Sequence, residues 1–505
     1  MKINIMDTTL RDGEQTSGVS FTETEKLNIA KLLLEDLKVD RIEVASARVS
    51  EGEFKGAKSI FDWAKEHGFL ERVEVLGFVD GKESLNWIRE AGGKVINLLT
   101  KGSLKHCELQ LRKTPEQHIE DIKGVIKNAD EMGIRTNIYF EDWSNGMRNS
   151  PEYMYQMLDS LQETTIDRFM LPETLGILNH EEAYTFCHDM KQRYPNLNFD
   201  FHAHNDYDLS TANVFSAIKA GITGIHCTLN GLGERAGNVP LSSVIGIVRD
   251  HFHYEMNVDE QKLYKVSKFV ESFSGIRIPS NKPLIGENVF TQTSGIHADG
   301  DHKDNLYFND LLPERFGRKR QYALGKMSGK ASIIKNLEDL GIELDKDEMK
   351  KITERVIELG DKKETVTKED LPYIISDVLK SEVIDEKIKI INYSLSVAEG
   401  LRSMATLRIE ILGKIYQETA SGDGQYDAFM IALWRIYDRL NKEHPVLTDY
   451  VVTIPPGGKT DALVECAITW NFKGKTINTR GLDSDQTIAA IKGTIRMLNI
   501  IETFK

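Results

Sequence analysis

Residues 1 to about 255 repeat one pattern eight times, in which a short apolar run precedes a longer segment of helical periodicity. The clearest helical segment, residues 22–38, opens with Thr22 and Glu25 at the spacing of a capping box. Eight strand–helix units in about 250 residues predict a (β/α)8 TIM barrel. An open doubly wound sheet is the alternative, but no GxGxxG turn follows the first apolar run. The predicted strands are Ile3–Asp7, Arg41–Ala45, Val73–Val79, Val95–Leu99, Ile134–Phe140, Asp167–Leu171, Asn198–Ala203 and Gly224–Thr228.

The rhythm changes after the barrel, and the chain is predicted to have three parts. Residues 1–270 form the barrel, and residues 271–385 form linker subdomains that include a helical stretch from about residue 331 to 379. Residues 386–505 contain two copies of a βββα pattern, which predicts a separate α+β domain. A duplicated small module of this kind often binds a regulator, so the C-terminal part is predicted to be regulatory.

Composition narrows the function classes. The formal net charge of −14 argues against non-specific binding to nucleic acid or to an anionic membrane. The first thirty residues lack the features of a signal peptide, and no apolar stretch approaches the length of a membrane span. The four cysteines are far apart and form no CxxC pair, which predicts reduced thiols and a cytoplasmic protein.

A candidate metal site lies at the carboxyl ends of the predicted strands. His202 and His204 stand two residues apart at the end of the seventh strand, so both side chains point to one side of the sheet. Alone, such a pair is better explained by hydrogen bonds that satisfy histidines in a core or at a cap. Asp12 follows the first strand, which lies only two positions from the seventh in an eight-strand ring. One carboxylate and two neutral imidazoles would then form an open site for a divalent cation.

Three further side chains at the same rim are candidates. Arg11 is either ion-paired or solvated, or it aims its guanidinium at charge that develops on a carbonyl oxygen. Glu141 ends the fifth strand and is a candidate acid or base. Asn238 ends the glycine-rich run NGLGERAGN and could add a weak oxygen ligand, although the glycines could serve only to form turns.

The motifs DTTLRDGEQ, HAHNDYD and NGLGERAGN occur in this order, and with them the sequence resembles the family of 2-isopropylmalate, homocitrate and citramalate synthases over nearly its whole length. The same motifs occur in lyase relatives that cleave acyl-CoA products, so they do not fix direction or substrate. The resemblance implies a condensation of acetyl-CoA with a 2-oxo acid. It also implies a divalent metal, Mg²⁺ or Mn²⁺ with zinc as a further option, and the ligands Asp12, His202, His204 and Asn238.

The resemblance implies roles for other residues. Arg11 would polarise the keto oxygen, and Glu141, helped by His297, would take a proton from the acetyl methyl group. In such enzymes the middle section crosses to a partner subunit, so we expect a homodimer in which His297 completes the neighbour's site. Thr174 would hold the acceptor carboxylate. The implied substrate-binding residues are Arg11, Asp12, Leu76, Leu99, Tyr139, Thr174, Asp299, Asn305, Leu306 and Tyr307.

The choice of 2-oxo acid depends on Leu76, Leu99 and Tyr139, at the positions that wall the acceptor side chain in this family. Isopropylmalate synthases tend to have smaller or polar groups at the last two positions, so a leucine and a tyrosine imply pyruvate and the product citramalate. The three residues could instead be ordinary core. The alternatives are 2-isopropylmalate synthesis from 2-oxoisovalerate, a metal-dependent lyase or decarboxylase, and a non-catalytic amino-acid sensor. Homocitrate synthesis is disfavoured because Asn137 offers no cation for a distal carboxylate.

The C-terminal repeat resembles the leucine- or isoleucine-binding module of these synthases, which implies feedback inhibition by isoleucine or leucine. The residues at matching positions could equally form the core of the module. They are Tyr426, Asp427, Leu447, Tyr450, Ile454, Val464 and Gln486.

Overall fold

The structure is a computed structural model that describes residues 1–301, 306–340, 342–361, 366, 368–379, 387–453 and 464–503. The chain forms two compact units. The first comprises residues 1–290 and 308–320, and the second comprises residues 291–307 and the described part of 321–505. None of the helices in the described ranges combines the length and the apolar composition of a membrane span.

The first unit contains a closed barrel of eight parallel strands in chain order, in which β8 pairs with β1. The predicted barrel is therefore confirmed, and each predicted strand end lies within two residues of the observed one. The strands are β1 Asn4–Asp7, β2 Arg41–Ser46, β3 Val73–Phe78, β4 Val95–Lys101, β5 Arg135–Glu141, β6 Ile166–Glu173, β7 Phe199–Ala203 and β8 Gly224–Cys227.

Helices surround the barrel and bury their apolar faces on it. The first helix begins at the predicted capping box, where the Thr22 hydroxyl accepts from the backbone N–H of Glu25 and the Glu25 carboxylate accepts from that of Thr22. It is α-helical to Lys31 and continues as one π-helical turn over Leu32–Asp36. The helices are α1 Glu23–Lys31, α2 Glu51–His67, α3 Glu83–Ala91, α4 Leu104–His106, α5 Pro115–Met132, α6 Trp143–Asn149, α7 Pro151–Leu161, α8 His180–Arg193, α9 Ser210–Lys219, α10 Leu241–Gly246 and α11 Leu263–Ser274.

The interior of the barrel holds charged side chains instead of a purely apolar filling. Arg41 of β2 donates to both carboxylate oxygens of Glu74 in β3, at 3.1 and 3.2 Å, and also bonds to Asp200 in β7. Arg168 of β6 donates to the second oxygen of Asp200 at 2.8 Å. Glu74 and Asp200 are almost fully buried, so these ion pairs and hydrogen bonds must offset the desolvation of their charges.

The second unit contains two apolar cores. The first core is formed by three helices. A helical stretch from about residue 331 to 379 was predicted here, and the structure divides it into these three helices. The stretch is interrupted because Asp345 caps a new helix, accepting from the backbone N–H of Asp347 and Glu348, and because Pro372 favours a helix start. These three helices and the three elements that precede them are β9 Thr291–Gln292, α12 Gly295–Asp301, β10 Gln321–Tyr322, α13 Lys330–Leu340, α14 Lys346–Asp361 and α15 Leu371–Leu379.

The second core lies in the C-terminal part, which has the predicted α+β repeat. Each half is a three-stranded antiparallel sheet followed by a helix, and the two halves share one apolar core that includes Leu407, Leu433, Ile468 and Leu498. The elements are β11 Ile388–Ser396, β12 Ser403–Ile411, β13 Lys414–Gly422, α16 Gln425–Arg439, β14 Val446–Thr453, β15 Val464–Phe472, β16 Lys475–Asp483 and α17 Gln486–Thr503.

Candidate active site and metal centre

The turn after β1 carries Asp12 to the carboxyl-end rim of the barrel. The carbonyl of Thr8 accepts from the backbone N–H of Asp12 at 2.9 Å and from that of Gly13 at 3.1 Å. The hydroxyl of Thr9 accepts from the backbone N–H of Leu229 at 2.8 Å, which ties the turn to the end of β8. These bonds hold the Asp12 carboxylate at one position, where it is 1% exposed.

Asp12, His202 and His204 converge as predicted. Oδ2 of Asp12 lies 3.1 Å from Nε2 of His202 and 3.6 Å from Nε2 of His204, and the two Nε2 atoms are 3.4 Å apart. All three side chains are buried. Among the described residues, they are the group of three potential ligands whose donor atoms lie close enough to share an ion.

The protonation of this group fits a metal. Burial lowers the pKa of His204 to about 4, so its imidazole is neutral at neutral pH, which is the form that binds a cation. Burial alone would raise the pKa of Asp12, but the Arg11 guanidinium and the hydrogen bond with His202 hold it well below its usual value. Oδ1 of Asp12 is buried and has no hydrogen-bond partner in the structure. An ionised carboxylate and electron-pair donors that face one another are the arrangement that a divalent cation would stabilise.

Asn238 lies beside this group, in the loop after β8. Its backbone forms an isolated bridge with His204, and its side-chain amide donates to the carbonyl of Leu232 at 3.2 Å. Its side-chain oxygen is buried without a hydrogen-bond partner. Gly233 makes room for the amide, because a Cβ at residue 233 would lie 2.2 Å from Nδ2 of Asn238. The structure therefore places Asn238 next to His204, at the edge of the three convergent ligands.

Arg11 is held by a residue that the sequence analysis did not identify. Its guanidinium forms an ion pair with Glu43 of β2 through Nε and lies 3.3 Å from Asp12 through a terminal nitrogen. Glu43 is fully buried and also accepts from the Asn97 amide at 2.7 Å. Two carboxylates fix the direction of the guanidinium, which also lies 5.9 Å from the centre of the Tyr139 ring.

Leu76, Leu99 and Tyr139 meet inside the barrel. They form an apolar cluster with Met6 and Met170 that is separate from the main core between the sheet and the helices. Leu99 and Tyr139 are direct partners across the β4–β5 ladder, so their side chains lie on the same side of the sheet. The Tyr139 ring packs edge-on against His202 with a centroid distance of 6.1 Å. The three predicted wall residues thus share one apolar lining next to a candidate ligand.

Glu141 has an ionic partner that the pattern did not indicate. At the last position of β5, it pairs with Lys101, the last residue of β4, and its side chain is 27% exposed. The backbone of Lys101 is fixed on both sides, since its N–H donates to the His118 imidazole at 3.2 Å and its carbonyl accepts from the Tyr153 hydroxyl at 2.9 Å. The carboxylate is therefore oriented and remains accessible.

Thr174 lies at the same rim, just after β6. Its hydroxyl oxygen accepts from the backbone N–H of Asp142 at 2.9 Å, and its carbonyl accepts from Arg235 at 2.7 Å. Arg235 also pairs with Asp206 through two hydrogen bonds, at 2.7 and 2.9 Å. The Thr174 hydroxyl thus connects the ends of β5 and β6.

The remaining predicted catalytic and substrate residues belong to the second unit. The His297 imidazole lies 3.2 Å from the side-chain oxygen of Gln292, and its ring centroid is 4.3 Å from that of Tyr307. Asp299 and Leu306 are exposed. Asn305 lies outside the described residues.

The predicted effector residues lie in the C-terminal repeat. Tyr426 bonds to the Thr494 hydroxyl at 2.7 Å, and its ring centroid lies 5.6 Å from that of Tyr450. Leu447 and Gln486 are exposed, whereas Val464 is buried at the start of β15.

Asp427 has a structural contact of its own. Its carboxylate accepts from the backbone N–H of Asp423 at 2.9 Å, in the turn that leads into α16. Ile454, the remaining predicted effector residue, lies outside the described residues.

Comparison with known families divides the chain into three matches. Residues 2–270 match the model of the HMGL-like family. Residues 284–364 match the homocitrate synthase post-HMGL domain-like family, and residues 365–502 match the LeuA allosteric (dimerisation) domain. Together these matches cover most of the chain.

Individual relatives are similar over their full lengths. The (R)-citramalate synthase CimA of Methanocaldococcus jannaschii is 31% identical over 99% of this chain and 100% of its own. The 2-isopropylmalate synthase of the same organism is 32% identical over 99% of this chain and 95% of its own. Among solved structures, an HMG-CoA lyase of Bacillus subtilis is 21% identical, with a TM-score of 0.48 over 55% of this chain and 95% of that protein.

The metal site can be tested without an activity assay. His202→Ala and His204→Ala each remove one of the three convergent ligands, so we expect dialysed variant protein to retain little Mn²⁺, whereas the wild type retains about one ion per chain. Elemental mass spectrometry of the purified protein measures the number of metal ions per chain and checks this result. The matched control is His180→Ala, an exposed histidine at the start of α8. Wild-type metal content in both active-site variants would rule out the site.

Proposed function

The chain belongs to the family of 2-isopropylmalate, homocitrate and citramalate synthases, acyltransferases that condense acetyl-CoA with a 2-oxo acid, and we propose that its own acceptor is pyruvate. The products would be (R)-citramalate and CoA, on the route to isoleucine. The observation that carries this choice is the apolar lining formed by Leu76, Leu99 and Tyr139.

Size is the physical reason for pyruvate. Leu76 and Tyr139 are 6% and 2% exposed and pack in one buried cluster with Met6 and Met170. The isopropyl group of 2-oxoisovalerate has two more carbon atoms than the methyl group of pyruvate, and each additional carbon pushed into a packed apolar wall costs roughly 1–3 kcal/mol. A methyl group fits such a lining, whereas an isopropyl group would have to displace a buried side chain.

The acceptor end of the site is proposed to be built from the rim residues. A divalent cation, Mg²⁺ or Mn²⁺, held by Asp12, His202 and His204 with Asn238 beside them, would polarise the keto group of the acceptor. The Arg11 guanidinium, held by Glu43, would donate hydrogen bonds to the keto oxygen as negative charge develops there.

Thr174 would complete the acceptor site, because its hydroxyl would donate a hydrogen bond to the acceptor carboxylate. Its hydroxyl oxygen accepts from the Asp142 N–H, and this bond leaves the proton free to take a new direction when an anion arrives. As a donor, the same hydroxyl makes a long contact of 3.5 Å to the carbonyl oxygen of Pro172.

The donor end of the site is proposed to use Glu141 as the base. Its carboxylate would take a proton from the acetyl methyl group, the resulting carbanion would form a bond to the keto carbon, and the keto oxygen would take up a proton from solvent water. Water would then hydrolyse the thioester and release CoA. The ion pair with Lys101 orients the carboxylate beforehand. We propose that His297 assists from the partner subunit of a homodimer, consistent with the match to a dimerisation domain.

Glu141→Gln tests the base. The amide keeps the size of the side chain but cannot accept the proton, so we expect kcat to fall by about 10²-fold or more while KM for the acceptor changes little. Exchange of the acetyl methyl protons with deuterated solvent should be lost in parallel. Glu152→Gln, an exposed glutamate in α7, is the matched control. Methyl exchange that continues at the wild-type rate in the Glu141 variant would assign the proton transfer to another group.

The second candidate is 2-isopropylmalate synthesis, because a relative of that name matches the chain at nearly the same identity as the citramalate synthase. Overall sequence identity therefore does not decide between pyruvate and 2-oxoisovalerate as the acceptor. The choice depends on the residues that line the acceptor pocket.

A panel of pyruvate, 2-oxobutanoate and 2-oxoisovalerate tests the acceptor. We expect kcat/KM for pyruvate to exceed that for 2-oxoisovalerate by about a hundredfold or more, measured as thiol release from acetyl-CoA. Leu99→Ala should narrow the gap, because it removes part of the wall, whereas Leu109→Ala at an exposed site should leave the gap unchanged. A wild-type preference for 2-oxoisovalerate would establish the second candidate instead.

We also propose feedback inhibition through the C-terminal repeat. The match to an allosteric domain and the pairing of Tyr426 with Tyr450 support an effector site in this part of the chain. Isoleucine is the expected inhibitor, with leucine weaker, because citramalate leads to isoleucine. Leu447 would contribute an apolar contact from β14.

Two neighbouring exposed residues of β14 provide a matched test of regulation. Adjacent side chains of a strand point to opposite faces, so Leu447→Ala should raise the half-inhibitory concentration of isoleucine by about tenfold, while Val446→Ala should not. Uninhibited activity should remain at the wild-type level in both. Equal inhibition of both variants and the wild type would exclude Leu447 from the effector site.

A further inference from the structure

A chain of three buried polar groups lies beneath the candidate active site. The Tyr139 hydroxyl lies 3.0 Å from Nδ1 of His226, and Nε2 of His226 lies 3.1 Å from a carboxylate oxygen of Asp200. The residues come from β5, β8 and β7, and each is at most 2% exposed. Of these three residues the sequence pattern points to Tyr139 alone, and its hydrogen-bonded connection to His226 and Asp200 is seen only in the structure.

The direction of these hydrogen bonds follows from the partners of Asp200. Arg41 and Arg168 both pair with this carboxylate, so it is ionised and can only accept. Nε2 of His226 must therefore carry a hydrogen and donate it to Asp200. In a neutral imidazole the other nitrogen is then an acceptor, and the Tyr139 hydroxyl donates to Nδ1.

The position of the Asp200 carboxylate requires a glycine at the start of β8. Gly224, which begins β8, lies against Asp200, and a Cβ at this position would lie 1.7 Å from the carboxylate. The His226 ring packs edge-on against the Tyr139 ring with a centroid distance of 5.5 Å. The backbone of Tyr139 is thus held by the β4–β5 ladder. Its hydroxyl is held by the His226 imidazole, which is in turn held by the Asp200 carboxylate.

We propose that His226 and Asp200 are positioning residues that set the acceptor selectivity of the enzyme. They anchor the Tyr139 hydroxyl, so the phenol ring cannot tilt away when an acceptor larger than pyruvate enters. The penalty for an extra methyl group depends on how far the surrounding wall can relax, and an anchored ring relaxes less than a free one. This inference rests on the proposed function, in which Tyr139 walls the acceptor pocket.

Three variants separate the anchor from the volume of the side chains. Tyr139→Phe keeps the ring and removes the hydroxyl. His226→Gln keeps an amide near the position of Nε2, within reach of Asp200, but offers Tyr139 no partner. His226→Asn places its side-chain oxygen near the position of Nδ1, where it can accept from the hydroxyl, and so serves as the conservative rescue.

The measurement is the ratio of kcat/KM for pyruvate to that for 2-oxobutanoate. We expect this ratio to fall by about tenfold in Tyr139→Phe and in His226→Gln, and to stay within about threefold of the wild type in His226→Asn. The double variant Tyr139→Phe, His226→Gln should be no less selective than either single variant, because all three lose the same bond.

Two results would overturn the inference, because they would show that the hydrogen bond between Tyr139 and His226 does not set selectivity. An unchanged ratio in Tyr139→Phe would overturn it, and this variant decides the test if a His226 variant does not fold. Additive losses in the double variant would also overturn it. The wild-type panel is a separate result, because a preference for 2-oxoisovalerate would refute pyruvate as the acceptor. In that case the two single variants and the double variant, compared with the preferred acceptor and its next larger homologue, would still show whether the hydrogen bond between Tyr139 and His226 limits the size of the acceptor.

Discussion

The ladder between β1 and β8 closes the sheet, and the candidate site exists only because of this closure. In an open sheet in chain order, β1 and β7 would lie about 29 Å apart, since neighbouring strands are spaced by about 4.8 Å. In the closed ring only β8 stands between them. Asp12 and His202, far apart in the chain, can then approach to 3.1 Å. The bond from Thr9 to the end of β8 carries the same closure into the turn that holds Asp12.

The polar filling of the barrel is the second consequence of closure. Charged side chains deep on the inner face, such as Glu74 and Asp200, are shielded from water, so each needs a partner from another strand. Arg41 lies between Glu74 and Asp200, and Glu43 lies between Arg11 and Asn97. Removing one partner of such a buried pair costs about 3–5 kcal/mol because it leaves the other charge buried and unpaired, so the members of each pair depend on one another.

The sequence indicates the ends of the strands better than it indicates the pairing between them. Asp12, His202 and His204 could be predicted because a strand order and an alternation of side chains suffice to bring them together. The partners Glu43, Lys101 and His226 could not, because they depend on the register between neighbouring strands, which no periodicity contains. A signal was present, since a charge at every second position of an apolar strand, as in RIEVAS, marks an inner face.

The division of the chain into two units has a consequence for how such proteins can diversify. The chain passes between the units after residues 290, 307 and 320, and the segment 308–320 belongs to the barrel unit, where Arg315 pairs with Asp250 and Glu260. A single genetic crossover between two relatives can therefore exchange a unit intact only if the parents already agree over part of this stretch: over residues 308–320 for a crossover after residue 290, or over residues 291–307 for one after residue 320. Recombination should preserve this stretch as a block, so that new regulatory parts are acquired together with a matching junction.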